Sequence, residues 1–154
     1  MTTYFPLFLN MKEKQVLVFG GGKIAVRRTK ALLEFGARIR VVAPEISEEL
    51  EELAKETENL LLEYRRYRPS ELKEEDFVLA VTNDETVNTT IFRECRHKHI
   101  WVNVASDKEK CDFYFPGIAR KDNVVVGVTA SGTNHRQART TVEQIRGLFN
   151  GQES

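Results

Sequence analysis

Apolar residues fall in short blocks separated by charged stretches, and the block at residues 16–19, Val-Leu-Val-Phe, runs straight into Gly20, Gly21 and Gly22. A β-branched and aromatic run this short, closed by a turn signal, predicts a buried parallel strand. Over residues 23–35, Ile24, Ala25, Ala31, Leu32 and Phe35 recur at helical spacing, and Gly36 supplies the left-handed residue that ends the helix. Strand, glycine turn and helix follow without a gap.

Residues 38–43 predict a second strand stopped by Pro44, and Ser47 is expected to cap an acidic helix carrying Leu50, Leu53 and Ala54. Further strands are expected at 60–64, 77–81 and 100–104, with a charged connection over 65–76 and a helix over 86–97. Alternating strands and helices predict a mainly parallel, Rossmann-like α/β sheet covered on both faces. The last third changes character. Residues 112–117 read as an aromatic, proline-bearing loop, 124–129 as a sixth strand and 136–149 as a final helix. The division that follows is an NAD-binding domain over 1–112 and a strand-helix appendage over 113–154. The apolar strand at 124–129 is too apolar for an exposed edge, so the appendage is expected to pair with a second copy in a homodimer.

Composition narrows the function classes. Of the 154 residues 41% are hydrophobic, and with nine glycines this is the balance of a globular chain. Lys plus Arg (23) equals Asp plus Glu (23), so no global field exists to hold a nucleic acid or an anionic membrane, and a polyanionic ligand must be met locally. Two cysteines, Cys95 and Cys111, are too few for a disulfide framework, which fits a reducing cytoplasm. The first ten residues lack a basic start and a cleavage site and read as mature structure, and no apolar run is long enough to span a membrane.

The motif with the clearest chemistry is Gly20-Gly21-Gly22-Lys23-Ile24-Ala25, which fits the dinucleotide fingerprint G-x-G-x-x-A. Gly20 permits the tight turn, Gly22 lets backbone approach a pyrophosphate, and Ala25 allows close helix packing, with free N–H groups of the helix start facing the anion. Where such folds carry a ribose-binding acid this chain has Ala43-Pro44, and no Arg follows to greet a 2′-phosphate, so NAD is favoured over NADP only by a narrow margin. Thr82 and Asn83 sit after the fourth strand, where they line the cofactor ribose or, with Asp84, cap the next helix. Asp107, after the fifth strand, is either a general base or a turn residue. His97, His99 and His135 form no known ligand spacing, so no preformed metal site is expected.

Taken in order, Pro6-Leu-Phe-Leu9, residues 20–28, Val41-Val-Ala-Pro-Glu45, Thr82-Asn-Asp84 with Asn88, Asn103-Val104 and residues 111–116 resemble the siroheme synthase N-terminal domain family, over about residues 4–139. The resemblance implies NAD-dependent oxidation of precorrin-2 to sirohydrochlorin, a tetrapyrrole step that some members follow with ferrous iron insertion. It implies a catalytic aspartate in the loop after Asn103-Val104, carried here onto Asp107, one residue beyond the position Ser106 where many relatives have it. It also implies a substrate cleft drawing on Asn103, Ser106, Arg120, Ser131, Asn134, His135 and Arg139, with Arg120, Lys121, Arg136 and Arg139 as cations for the substrate's carboxylates or as ordinary surface. Two departures stand out. Relatives have a Ser-Pro turn where this chain has Asn134-His135, and they continue into a helical segment beyond the position of Ser154. An enzyme is the leading expectation. A non-catalytic NAD- or tetrapyrrole-binding partner protein of the same pathway is the alternative, and a chelatase without dehydrogenase activity fits poorly with an intact fingerprint.

Overall fold

The computed structural model describes residues 3–151; the readings made on Met1, Thr2 and the end at Ser154 lie outside these described residues. Five parallel strands form one sheet in the order β3-β2-β1-β4-β5, namely β1 (Gln15–Phe19), β2 (Arg38–Ala43), β3 (Leu60–Tyr64), β4 (Phe77–Ala80) and β5 (Trp101–Val104). Helices α1 (Lys23–Leu33), α2 (Glu48–Glu56) and α3 (Glu85–Lys98) make the crossovers. Because β1 lies between β2 and β4, the chain winds one way and then the other from it, leaving a crevice at the carboxyl ends of β1 and β4.

Burial follows the period of two. Leu17, Phe19, Val42, Val78, Ala80, Val102 and Val104 form one core with Ile91 and Cys95 of α3 and Leu72 of the β3–β4 connection. The alternate residues Val16, Val18, Ile39, Val41 and Leu79 are buried too, so both faces are covered, as parallel strands require. The connection over 65–76 has no helix, yet it is tightly tied. Arg65 makes two hydrogen bonds to the Glu71 carboxylate, and Glu94 of α3 accepts from the N–H groups of Ser70 and Leu72 and from the Tyr67 hydroxyl.

The chain divides into two compact units, Leu9–Phe113 and a second unit built of residues 3–8 and 114–151. The second unit contains an antiparallel hairpin, β6 (Gly117–Lys121) with β7 (Val124–Val128), and helix α4 (His135–Asn150). Gly117 lets α4 lie close, since a Cβ there would stand 2.5 Å from Val142 Cγ2. No helix among the described residues is long and apolar enough to cross a membrane.

Four local readings need correction. Residues 117–121 are a strand, so Val124–Val128 pairs along one edge with β6, the turn being made by Asp122 at φ +51°. Residues 3–8 belong with the second unit, not with the sheet. Ser47 holds the N-cap position of α2 but makes no side-chain cap bond, and its buried Oγ has no hydrogen-bond partner, while its backbone N–H donates to the Gly21 carbonyl at 2.9 Å. Ile24, expected on the inner face of α1, is 40% exposed, and Ala25, Val26 and Thr29 take the buried positions.

Candidate cofactor site and catalytic loop

The three glycines of the β1–α1 turn have three different surroundings. Gly20 adopts φ +124°, and a Cβ there would sit 2.4 Å from the Val81 carbonyl oxygen at the end of β4. Gly21 faces the loop after β2, with the Glu45 carbonyl oxygen 2.3 Å from where a Cβ would lie. These two positions exclude side chains because the loops after β1, β2 and β4 converge there, bound by Gly20 N–H to Val42 O at 3.1 Å and Val81 N–H to Phe19 O at 2.8 Å. Gly22 differs: no atom lies within 4 Å of its Cβ position, and its φ of −91° suits any residue. Protein packing does not exclude a side chain here, so the backbone at Gly22 stands open to a ligand. Gly22 is also the N-cap of α1, beside the helix's unpaired N–H groups and with no acidic residue in its first turn. Lys23 and Ile24 are exposed at the same turn, and Ala25 is buried, as close helix packing demands. Residues of this turn therefore fit a dinucleotide's pyrophosphate.

Beside it, Ala43 ends β2 buried and Pro44 is exposed. The loop after β4 is built around buried Asn88 of α3. Its Oδ1 accepts from Thr82 N–H at 3.2 Å and lies 2.7 Å from the Thr82 hydroxyl, while its Nδ2 donates to the Thr82 carbonyl at 3.1 Å. Asp84 caps α3, accepting from Thr86 and Val87 N–H. Of the two readings for this loop, capping falls to Asp84, and Asn83 stays exposed on the rim.

The loop after β5 carries the proposed base. Asp107 caps the short 3-10 turn Lys108–Lys110, with Oδ1 accepting from Glu109 N–H at 3.0 Å and Oδ2 3.1 Å from Lys110 Nζ. The Lys110 side chain, with help from the Glu109 N–H, holds the Asp107 carboxyl below the usual carboxylate range. It is ionised at neutral pH and weakly basic. Ser106 donates to Glu85 Oε2 at 2.9 Å. Asn103, expected in the substrate cleft, is instead 2% exposed inside the sheet unit; its Nδ2 donates to the Phe113 carbonyl at 2.7 Å and its Oδ1 accepts from the Arg28 guanidinium. Arg28 was not singled out from sequence, although Ala25, Arg28, Thr29 and Leu32 share one helix face by their spacing. Burial pulls its pKa down to about 10, so it remains a cation through neutral pH. Cys111 Sγ lies 3.2 Å from the Val104 carbonyl, and burial pushes that thiol's pKa up.

The remaining expected substrate residues belong to the second unit. Arg120 is exposed on β6, Ser131 has φ +56° in the turn before α4, and Asn134 caps α4 by accepting from Gln137 N–H at 2.9 Å. The chain's Asn134-His135 pair thus starts the helix without a Ser-Pro turn. His135 is exposed in the first turn, and Arg139 pairs with Glu143 at 3.3 Å. The histidines do not converge on other donors: among the described residues no group of three or more His, Cys, Asp or Glu could hold a metal ion.

Comparison with known proteins agrees with this geometry. Residues 7–117 match a family model described as "Putative NAD(P)-binding". A "Probable multifunctional siroheme biosynthesis protein HemA" of Ruminiclostridium josui is 41% identical over 145 residues, covering 92% of this chain and 28% of that protein. A siroheme synthase of Nitrosomonas europaea is 37% identical over 146 residues, 95% of this chain and 31% of that protein. The chain therefore spans about three-tenths of the length of these relatives. Among solved structures, SirC, a precorrin-2 dehydrogenase, superposes with a TM-score of 0.80 at 26% identity, covering 96% of this chain and 74% of that one. The glycine turn, the strand order and this similarity together establish that the chain belongs to the siroheme synthase N-terminal, NAD(P)-binding family.

Proposed function

We propose that the protein oxidises precorrin-2 to sirohydrochlorin with NAD as acceptor. The observation that carries the cofactor half is the open space at Gly22, where no protein atom explains the absent side chain. The substrate half rests on the similarity to the precorrin-2 dehydrogenase SirC. The cofactor, when bound, supplies a hydride acceptor. The N–H groups opening α1 would bind its pyrophosphate, Ala43, Pro44, Thr82 and Asn83 would border its ribose, and Ile24 would offer an apolar contact. NAD is preferred to NADP because Glu45, Glu48, Glu49 and Glu51 cluster from the β2–α2 loop into the first turn of α2, where a 2′-phosphate would meet like charge.

Asp107 accepts a substrate proton at its carboxylate once Lys110 turns to a substrate carboxylate, which relieves the ion pair that now weakens it as a base. Ser106 lies beside it, and Asn103 acts from behind the loop. In the second unit, Arg120, Ser131, Asn134, His135 and Arg139 are the proposed contacts for the substrate's carboxylates, with Lys121 and Arg136 as further cations. The same site would admit ferrous iron as a transient substrate for insertion into the product. The second unit pairs two copies into a homodimer, and the protein works in a reducing cytoplasm, independent of nucleic acid and membrane.

A non-catalytic binding protein of the same pathway is favoured by one observation, the engagement of Asp107 by Lys110 and Glu109. Supplying precorrin-2 with NAD separates the two readings. Appearance of sirohydrochlorin absorbance supports the enzyme; binding of both ligands without turnover supports the partner protein. Repeating the assay with ferrous iron reads insertion separately.

A further inference from the structure

We propose that Arg28 is a positioning residue that locks the loop over 104–111 to the cofactor-binding helix, through the side chain of Asn103. This rests on the dehydrogenase reading only for its effect on turnover. Arg28 lies on α1, the helix whose first turn forms the pyrophosphate site, and reaches across to β5. A guanidinium has donors only and a carbonyl oxygen accepts only, so the Asn103 amide between Arg28 and the Phe113 carbonyl can take one orientation. Aspartate at 103 could not donate to Phe113, and leucine could serve neither neighbour.

What this amide closes is the neck of the loop. Asn103 and Cys111 form an isolated antiparallel bridge, and Asp112 N–H donates to the Val102 carbonyl at 2.8 Å while the Asp112 carboxylate accepts from Val102 N–H at 2.9 Å. Within the neck, Asp107 N–H donates to Val104 O at 3.2 Å and Lys110 N–H to Asp107 O at 3.0 Å. A half-buried arginine is a costly way to close a loop that backbone bonds already close. It is suited to joining that loop to α1, so that the helix holding the cofactor and the loop carrying Asp107 keep one relative position.

The test uses the full chain and two variants. Arg28→Met removes the donors; Arg28→Lys keeps the charge and an ammonium that can donate to Asn103. Amide hydrogen exchange should show faster exchange confined to residues 104–111 in Arg28→Met and near-normal protection in Arg28→Lys. NAD affinity by calorimetry should stay within about threefold, while kcat falls by about 10²-fold in Arg28→Met and recovers in Arg28→Lys, as expected of a misplaced reacting group. Unchanged exchange over 104–111, exchange raised uniformly over the sheet unit, or parallel losses of NAD affinity and kcat would each overturn the proposal. If Arg28→Met does not fold, Arg28→Leu, which also lacks donors, carries the same comparison. A wild-type chain without turnover would sink the dehydrogenase reading alone, because the exchange measurement still decides the role of Arg28.

Discussion

The sheet unit and the second unit solve the problem of stability in different ways. Leu9–Phe113 holds 23 of the 25 buried hydrophobic residues among those described, and the second unit holds two, Ala119 and Val142. Its large apolar side chains lie outside instead: Phe5 is 83% exposed, Phe8 74% and Leu148 69%. A parallel sheet covered on both faces can support itself, whereas a hairpin and one helix enclose too little to do so. The sheet unit therefore carries nearly all of the buried core, whereas the second unit keeps large apolar side chains exposed, and on these the homodimer proposal rests.

The sharpest break between the units is chemical. Asp107→Asn keeps the shape of the sheet unit's loop, and turnover should fall by about 10² to 10⁴-fold with NAD affinity nearly unchanged. Ser106→Ala should be mild by comparison. Steady-state kinetics with calorimetry reads both, and equal losses in affinity and turnover would make Asp107 a structural cap only.

Next comes the glycine turn. Gly21→Ala drives a Cβ against the Glu45 carbonyl and should cost about 2 kcal/mol or more in denaturant melts, with the loops after β1 and β2 forced apart. Gly22→Ala meets no protein atom and should cost less, about 1 kcal/mol at most, from the poorer N-cap that alanine makes. This contrast was only partly legible in the sequence. The fingerprint Gly20 to Ala25 identified the turn, but which glycine is packed against other loops and which stands open depends on the loops after β2 and β4, distant in sequence.

Val142→Ala should cost about 1.5 kcal/mol from two lost buried methyl groups and should loosen only the second unit. Hydrogen exchange would show opening of β6, β7 and α4 while the sheet stays protected; a joint loss would mean that the units unfold as one. If the proposed homodimer forms, Val124→Lys, on an exposed apolar position, should shift it toward monomer by light scattering, and a wild-type monomer at micromolar concentration would contradict that proposal.

The smallest effect concerns Lys110. Lys110→Met removes the main cause of the lowered Asp107 pKa, so the carboxyl should titrate nearer its ordinary value by NMR. The sign follows: the depressed value contributes stability above the unfolded pKa that is lost as pH falls through the folded one, and the variant should lose that contribution. An unmoved titration would mean that the Glu109 N–H alone sets it.

Sequence patterning reached the five parallel strands because each is a short segment dominated by apolar residues and bounded by polar or turn residues. It missed β6, where Ile118 and Ala119 are followed by Arg120 and Lys121 and no alternation announces a strand; the Asp122-Asn123 pair between two extended stretches was the available signal. The resemblance placed Asn103 in the substrate cleft, whereas the structure buries it between Arg28 and Phe113, a setting with no local signature. Those partners of Asn103 lie 75 and 10 positions away, whereas the partner strand of β6 follows it directly.

The central claim, that Gly22 is kept bare for a dinucleotide's pyrophosphate, is tested most directly by titrating NAD calorimetrically into wild type and Gly22→Asp. The account predicts binding to the wild type, and a variant with an unchanged melting temperature and no binding heat, because the carboxylate enters open space and repels phosphate. Unchanged NAD affinity in the folded variant would contradict it.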